Sequence, residues 1–144
     1  MAPPIQVVID CADPASLSSF WAEALHYILQ PPPDGYDSWQ AALTDWNVPA
    51  SEWNRASAIV DPDGVGPRVY FQRVPEPKES KNRLHLDIGA SGGPSVPIEE
   101  RKVQVDAEVD RLIELGARRL NSAEELGGYH VVMQDPESNE FCVH

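Results

Sequence analysis

Apolar side chains recur along this chain with two periods, two and about 3.6, and the periods follow one another in the same order twice. Residues 5–11, IQVVIDC, are β-branched and alternate weakly, which predicts a strand. Asp13 then stands where a helix N-cap is expected, with Pro14 at the first helical position. Leu17, Phe20, Trp21, Ala24, Leu25 and Ile28 keep helical spacing and form one stripe that must pack on a sheet. QPPPDGYD breaks the pattern, and SWQAALTDW places Trp39, Leu43 and Trp46 on one side of a short helix, with Trp53 following. SAIV, the turn DPDGVGP and RVYFQRV complete the first set.

The charged, proline-containing stretch PEPKESKN separates that set from the next, so the chain divides into a first module of about residues 1–75 and a second of about 82–144. In RLHLDIG, Leu84, Leu86 and Ile88 share one face of a strand, and Arg83, His85 and Asp87 share the other. Val105, Val109, Leu112, Ile113 and Gly116 keep helical spacing, with Gly116 as the C-terminal stop. ARRL, YHVVMQ and EFCVH read as strands.

The two sets echo each other. Each runs strand, helix, strands, with its last hairpin turned by Asp-Pro-acid, and each last strand holds Phe followed by a polar or small residue, Phe71-Gln72 and Phe141-Cys142. Aligned strand for strand, Gln6 is expected opposite His85. The predicted architecture is α+β: two fused βαβββ modules, in a single domain spanning 1–144, whose sheets curl around a shared cup.

Charge narrows the partners. With 23 acidic against 11 basic residues, the formal net charge is −12, which repels nucleic-acid phosphates and anionic membrane surfaces. Neither a secretory signal nor a bilayer-length apolar run is present, so a cytoplasmic location is expected. Cys11 and Cys142 are expected as reduced thiols, not as a disulfide framework. No GxGxxG, GxxxxGK[ST] or HExxH occurs, and no nucleophile elbow.

DPASLSSFWAEAL, DPDGVGPRVYFQRVPEPKESKNRLHLDI, VDAEVDRLIELGA and VVMQDPESNEFCV, in this order and spacing, resemble the vicinal oxygen chelate superfamily of glyoxalases, extradiol dioxygenases and fosfomycin- and bleomycin-resistance proteins, and within it the glyoxalase-like domain proteins. The resemblance implies a homodimer. It also implies metal ligands on the first and last strands of each half, which here would be Gln6, Gln72, His85 and Cys142. The turn spacing places the last of these at Cys142, not Glu140. Both carboxylates that anchor a divalent ion in the metal enzymes are replaced, by Gln72 and Cys142, so no tightly bound metal and no other cofactor is expected.

His85 should point into the cup, as a ligand contact or as a histidine hydrogen-bonded to a neighbouring strand. Cys142 reads as a small buried hydrophobe or as a thiolate ligand. Glu140 reads as a solvated carboxylate at the rim. Trp39 and Trp46 are either aromatic walls for a flat or apolar molecule or anchors of an extra helix, and Trp53 reads as an anchor. Tyr70 shares the face of Gln72 and could donate a hydrogen bond there. Lys78, Lys81 and Arg83 form a short basic run, a solvated linker or a contact for an anionic ligand. The ligand-binding set is therefore Gln6, Trp39, Trp46, Tyr70, Gln72, His85 and Cys142, with no catalytic residue assigned. The expected function is binding of a small, partly apolar molecule; the alternative is a metal-dependent lyase, isomerase or dioxygenase of the same superfamily.

Overall fold

A computed structural model describes residues 1–144 and divides into two compact units, Met1–Pro77 and Lys78–His144. The first contains β1 (Gln6–Cys11), α1 (Pro14–Leu25), β2 (Ile28–Leu29), α2 (Trp39–Asp45), a 3-10 turn (Ala50–Arg55), β3 (Ala56–Val60) and β4 (Arg68–Arg73). The second contains β5 (Asp87–Ile88), α3 (Ile98–Glu114), β6 (Arg118–Glu125), β7 (Gly128–Gln134) and β8 (Glu140–Val143). Each is a βαβββ module with one mixed four-stranded sheet, in the orders β1-β4-β3-β2 and β5-β8-β7-β6. In both, the first strand runs parallel to the last and the remaining pairings are antiparallel. The α+β architecture with paired βαβββ modules is as the sequence predicts. No helix is long and apolar enough to cross a membrane.

The start of α1 follows from its cap. The Asp13 carboxylate accepts the Ser16 N–H at 3.2 Å and the Asn54 amide at 2.8 Å, while Asn54 in turn accepts the Ala15 N–H at 2.8 Å. The Asn54 bond, followed by the Ser16 N–H, holds the Asp13 carboxyl below the usual carboxylate range. Leu17, Phe20, Trp21 and Ala24 are buried, and α1 packs across β3 and β4, whose Ile59, Val69 and Phe71 are buried. Ile28 leaves the stripe that its spacing suggests. His26 takes a left-handed conformation (φ 57°), ending the helix, and Ile28 and Leu29 become an edge strand paired with β3.

In the second unit Val105, Val109 and Leu112 of α3 are fully buried, as are Val131, Met133 and Val143, with Phe141 nearly so. Ile113 shares the helical spacing but lies exposed at the stripe's edge. Leu84 is 74% exposed, because the β5 ladder begins only at Asp87 and its side chain precedes the part of the strand held against the sheet. Cross-strand pairing in β6 slips between Arg119 and Asn121, which leaves Leu120 as an unpaired bulge on an otherwise exposed edge strand.

The Asp-Pro turns use one device. The Asp61 carboxylate accepts the N–H groups of Asp63, Val65 and Gly66 at 2.9, 3.1 and 2.7 Å, and the Asp135 carboxylate accepts those of Glu137 and Asn139, both at 2.9 Å. Gly66 is required by close approach: a Cβ there would lie 1.9 Å from the Tyr27 hydroxyl.

Candidate functional site

With α1 or α3 covering one face of each sheet, the other face carries the remaining side chains by simple alternation. In the second module, Asp87 and Cys142 are cross-strand partners, Val132 is the partner of Cys142 on the other side, and His85 precedes Asp87 by two residues. The His85 Nε2 lies 3.2 Å from Asp87 Oδ1. One imidazole nitrogen, one carboxylate oxygen and the Cys142 sulfur all fall within 4.8 Å of one another. Burial pushes the Cys142 thiol up, the Asp87 carboxylate adds to this by charge and by hydrogen bonding, and Lys81 opposes it. Asp87 lies on the face that the alternation of RLHLDIG already assigns to it, although the sequence reading does not single it out. Cys142 is only partly buried and shares its face with Asp87, so it is not simply core filler. Cys11 is a buried thiol outside any disulfide, and its Sγ donates to the Gln72 carbonyl oxygen at 3.7 Å.

Glu140 is not the solvated rim carboxylate expected. Its side chain is 12% exposed and fixes the start of the second unit: Lys78 Nζ stands 3.1 Å away, the Asn82 N–H donates to it at 2.9 Å, and the Asn82 side chain donates to the Glu140 carbonyl at 3.3 Å. Lys78 also donates to the Ser80 carbonyl, so this lysine of the basic run is engaged. Burial alone would raise the Glu140 carboxyl, but the Asn82 N–H and the Lys78 ammonium outweigh it and hold the group at about 2. A folded-state value below the ordinary one stabilises the fold fully above the ordinary value, 4.5, and the contribution is lost as pH falls from there through about 2. The stability gap between wild type and Glu140→Gln, measured by chemical denaturation, should therefore be constant near neutrality and shrink below pH about 4.5. A gap independent of pH down to about 2.5 would contradict this assignment.

In the first module the register corrects one expectation. Phe71 and Phe141 are the corresponding buried residues of the two last strands. Gln72 pairs with Asp10 as Cys142 pairs with Asp87, so the counterpart of His85, two residues before Asp87, is Val8, two residues before Asp10. Gln6 corresponds to Arg83 instead. Lining up VVIDC with LHLDI shows the same match in the sequence, where the shared aspartate is the signal. Gln6 pairs with Arg68 and Val8 with Tyr70. The Arg68 guanidinium donates from Nη1 to Gln6 Oε1 and from Nε to Gln30 Oε1, both at 2.6 Å, and lies over the Tyr70 ring with its Cζ 5.3 Å from the centroid. The Gln72 amide reaches Asp10 at 3.5 Å. Val8 is 51% exposed.

Of the tryptophan segment, Ala42 is the residue α2 buries fully. Trp39 and Trp46 remain 38% and 48% exposed. Trp39 Nε1 donates to the Gln30 carbonyl at 2.7 Å, and Trp46 packs edge-on against Tyr36, whose hydroxyl donates to Asp45 at 2.6 Å. Trp53 donates to the Val48 carbonyl at 3.0 Å and anchors its turn.

These donors decide what ion the chain suits. At the position corresponding to His85 the first module offers Val8, which has no donor atom, and at the position corresponding to Cys142 it offers the neutral amide of Gln72. Mg²⁺ or Mn²⁺, which prefer several oxygen ligands, does not fit that set. The imidazole, carboxylate and thiol of the second module are the donor types of a borderline ion such as Zn²⁺, and Asp87 supplies a third donor that the sequence reading lacked.

The comparisons with known proteins agree with the fold. The family described as glyoxalase-like domain matches residues 6–144. No curated protein sequence matches significantly. Among solved structures, a glyoxalase/bleomycin resistance protein/dioxygenase family enzyme from Burkholderia phytofirmans PsJN is 16% identical with a TM-score of 0.62, covering 96% of this chain and 94% of its own. Fosfomycin resistance protein FosX from Mesorhizobium loti is 10% identical with a TM-score of 0.63, covering 100% and 91%. A mutant FosX from Listeria monocytogenes, complexed with Mn(II) and 1S,2S-dihydroxypropylphosphonic acid, is 12% identical with a TM-score of 0.61, covering 100% and 90%. At such identities the structural likeness is one of fold; the family match, which begins at the first residue of β1 and ends at the last residue of the chain, is what makes this protein a member of the glyoxalase-like domain family.

Proposed function

We propose that this protein binds a small, partly apolar molecule on the open sheet face of its first module and does so without a tightly bound hard divalent ion. The observation that supports this most is the composition of that face. Val8 and the Tyr70 ring offer apolar surface beside the amides of Gln6 and Gln72 and the Arg68 guanidinium, and Asp10, beside Gln72, is the carboxylate β1 adds there, short of the several oxygen ligands that Mg²⁺ or Mn²⁺ prefers. Trp39 is tied to the same network through Gln30. The homodimeric, cytoplasmic state expected from the sequence belongs to the same proposal.

A second reading, a metal-dependent lyase, isomerase or dioxygenase, is favoured by the His85–Asp87–Cys142 cluster. An ion held there would act as a Lewis acid on a substrate oxygen. In the cluster itself, Asp87 orients the His85 ring through Nε2, and Lys81 favours the thiolate of Cys142 against burial and the Asp87 charge. One preparation separates the readings: protein purified without chelator, divided between elemental analysis and identification of co-purifying metabolites. The expected result is a co-purifying small molecule with far less than one equivalent of metal. About one equivalent of metal per chain, lost in His85→Ala, would overturn the first reading and put the enzyme first.

A further inference from the structure

Arg68, like Arg101 and Arg118, is held only by neutral oxygens, and of these three it is the one that also stacks on an aromatic ring. Arg73, Arg111 and Arg119 each meet a carboxylate, Glu52, Glu108 and Asp106 respectively. Arg68 has no carboxylate within ion-pair distance, although the chain holds 23 acidic residues. It is half-buried and fixed by two amide oxygens, Gln6 Oε1 and Gln30 Oε1, each at 2.6 Å. Amides orient a guanidinium without neutralising it. Of its five N–H donors, Nε and one on Nη1 are used, so three remain, one on Nη1 and two on Nη2. They form the end-on edge of the fork, whose spacing matches the two oxygens of a carboxylate. The Tyr70 ring, stacked under the guanidinium, limits its movement further. Val8, opposite Tyr70 in the register, continues the same face as exposed apolar surface.

We infer that Arg68 is a preorganised anion anchor, and that the molecule held by the first module is a small carboxylic acid whose carboxylate meets the free edge of Arg68 while its apolar part lies over Tyr70 and Val8. This rests on the binding function proposed above and names its ligand class. Two features select a monoanion over a phosphate dianion. A single cation is available, and the net charge of −12 opposes each further negative charge brought to the surface. The two glutamines explain why the cation is kept so rigid: a side chain with several rotatable bonds loses much of its freedom on binding unless it is already fixed.

The test is a binding panel of aryl and alkyl carboxylic acids, each paired with its neutral primary amide, read by tryptophan fluorescence and calorimetry on wild type, Arg68→Met and Arg68→Lys. Thermal melting of each variant confirms that it is folded. Acids should bind wild type at least about tenfold tighter than their amides. Arg68→Met should remove that preference, bringing each acid to the affinity of its amide. Arg68→Lys, which keeps the charge and loses the fork, should retain only part of it. Equal binding of acids and amides to wild type, with Arg68→Met altering neither, would overturn the anion anchor and leave the binding function standing. Binding of neither series to wild type would overturn both.

Discussion

Replacing Leu112 with alanine should destabilise the second module by about 2–5 kcal/mol, the range for removing a buried leucine from a core that collapses only in part. Leu112 is fully buried, as are Val105 and Val109 one and two turns before it, and α3 packs with them on the strand that carries Val131 and Met133. Leu25→Ala, at the corresponding end of α1, should lose less, below about 2 kcal/mol, because Leu25 is only half-buried where His26 ends the helix. Urea denaturation of both variants checks the order. A Leu112 variant as stable as wild type would contradict the core described for this module.

Asp135→Ala is the second large effect expected, about 2–4 kcal/mol. Asp135 has no exposed surface, and its carboxylate accepts the Glu137 and Asn139 N–H groups and the Asn139 side-chain amide, the last at 2.9 Å to Oδ2. Alanine would leave those donors without an acceptor in a turn from which water is largely excluded, while the backbone must still hold Ser138 in a left-handed conformation. Asp61→Ala in the sister turn should be milder, since the Asp61 carboxylate is more exposed and water can replace it. Asn at position 135 should recover part of the loss through its side-chain carbonyl. Equal losses for the Asp135 and Asp61 variants would argue that burial does not govern the turn.

What was legible in the sequence were features of short range. Alternation in RVYFQRV and EFCVH, the stripe from Leu17 to Ala24, the Asp13-Pro14 start and the two Asp-Pro turns depend on neighbours a few residues apart, and all stand where the sequence places them. Ile28 was misplaced because a helical stripe and a two-residue strand can share a residue, and only the left-handed His26 separates them. The candidate site was legible in part. His85 and Cys142 are neighbours through Asp87, as alternation allows. Aligning the strands from their first residues sets Gln6 against His85, whereas the ladder aligns the aspartates and puts an apolar Val8 there. Glu140 and Lys78 are 62 residues apart, and Arg68 and Gln30 are 38 apart. No local pattern reports an ion pair or an amide clamp across such separations.

The bulge at Leu120 bears on how these molecules behave when crowded. β6 forms the outer edge of its sheet, eight residues long, and an uninterrupted edge of that length would offer another chain a row of free amide and carbonyl groups. The slip between Arg119 and Asn121 puts the ladder out of step partway along, and charged Arg118, Arg119, Glu124 and Glu125 stand on either side. An incoming strand in regular register can follow this edge for only a few residues before its hydrogen bonds no longer line up. The irregularity thus serves as a built-in guard against fibrous self-association.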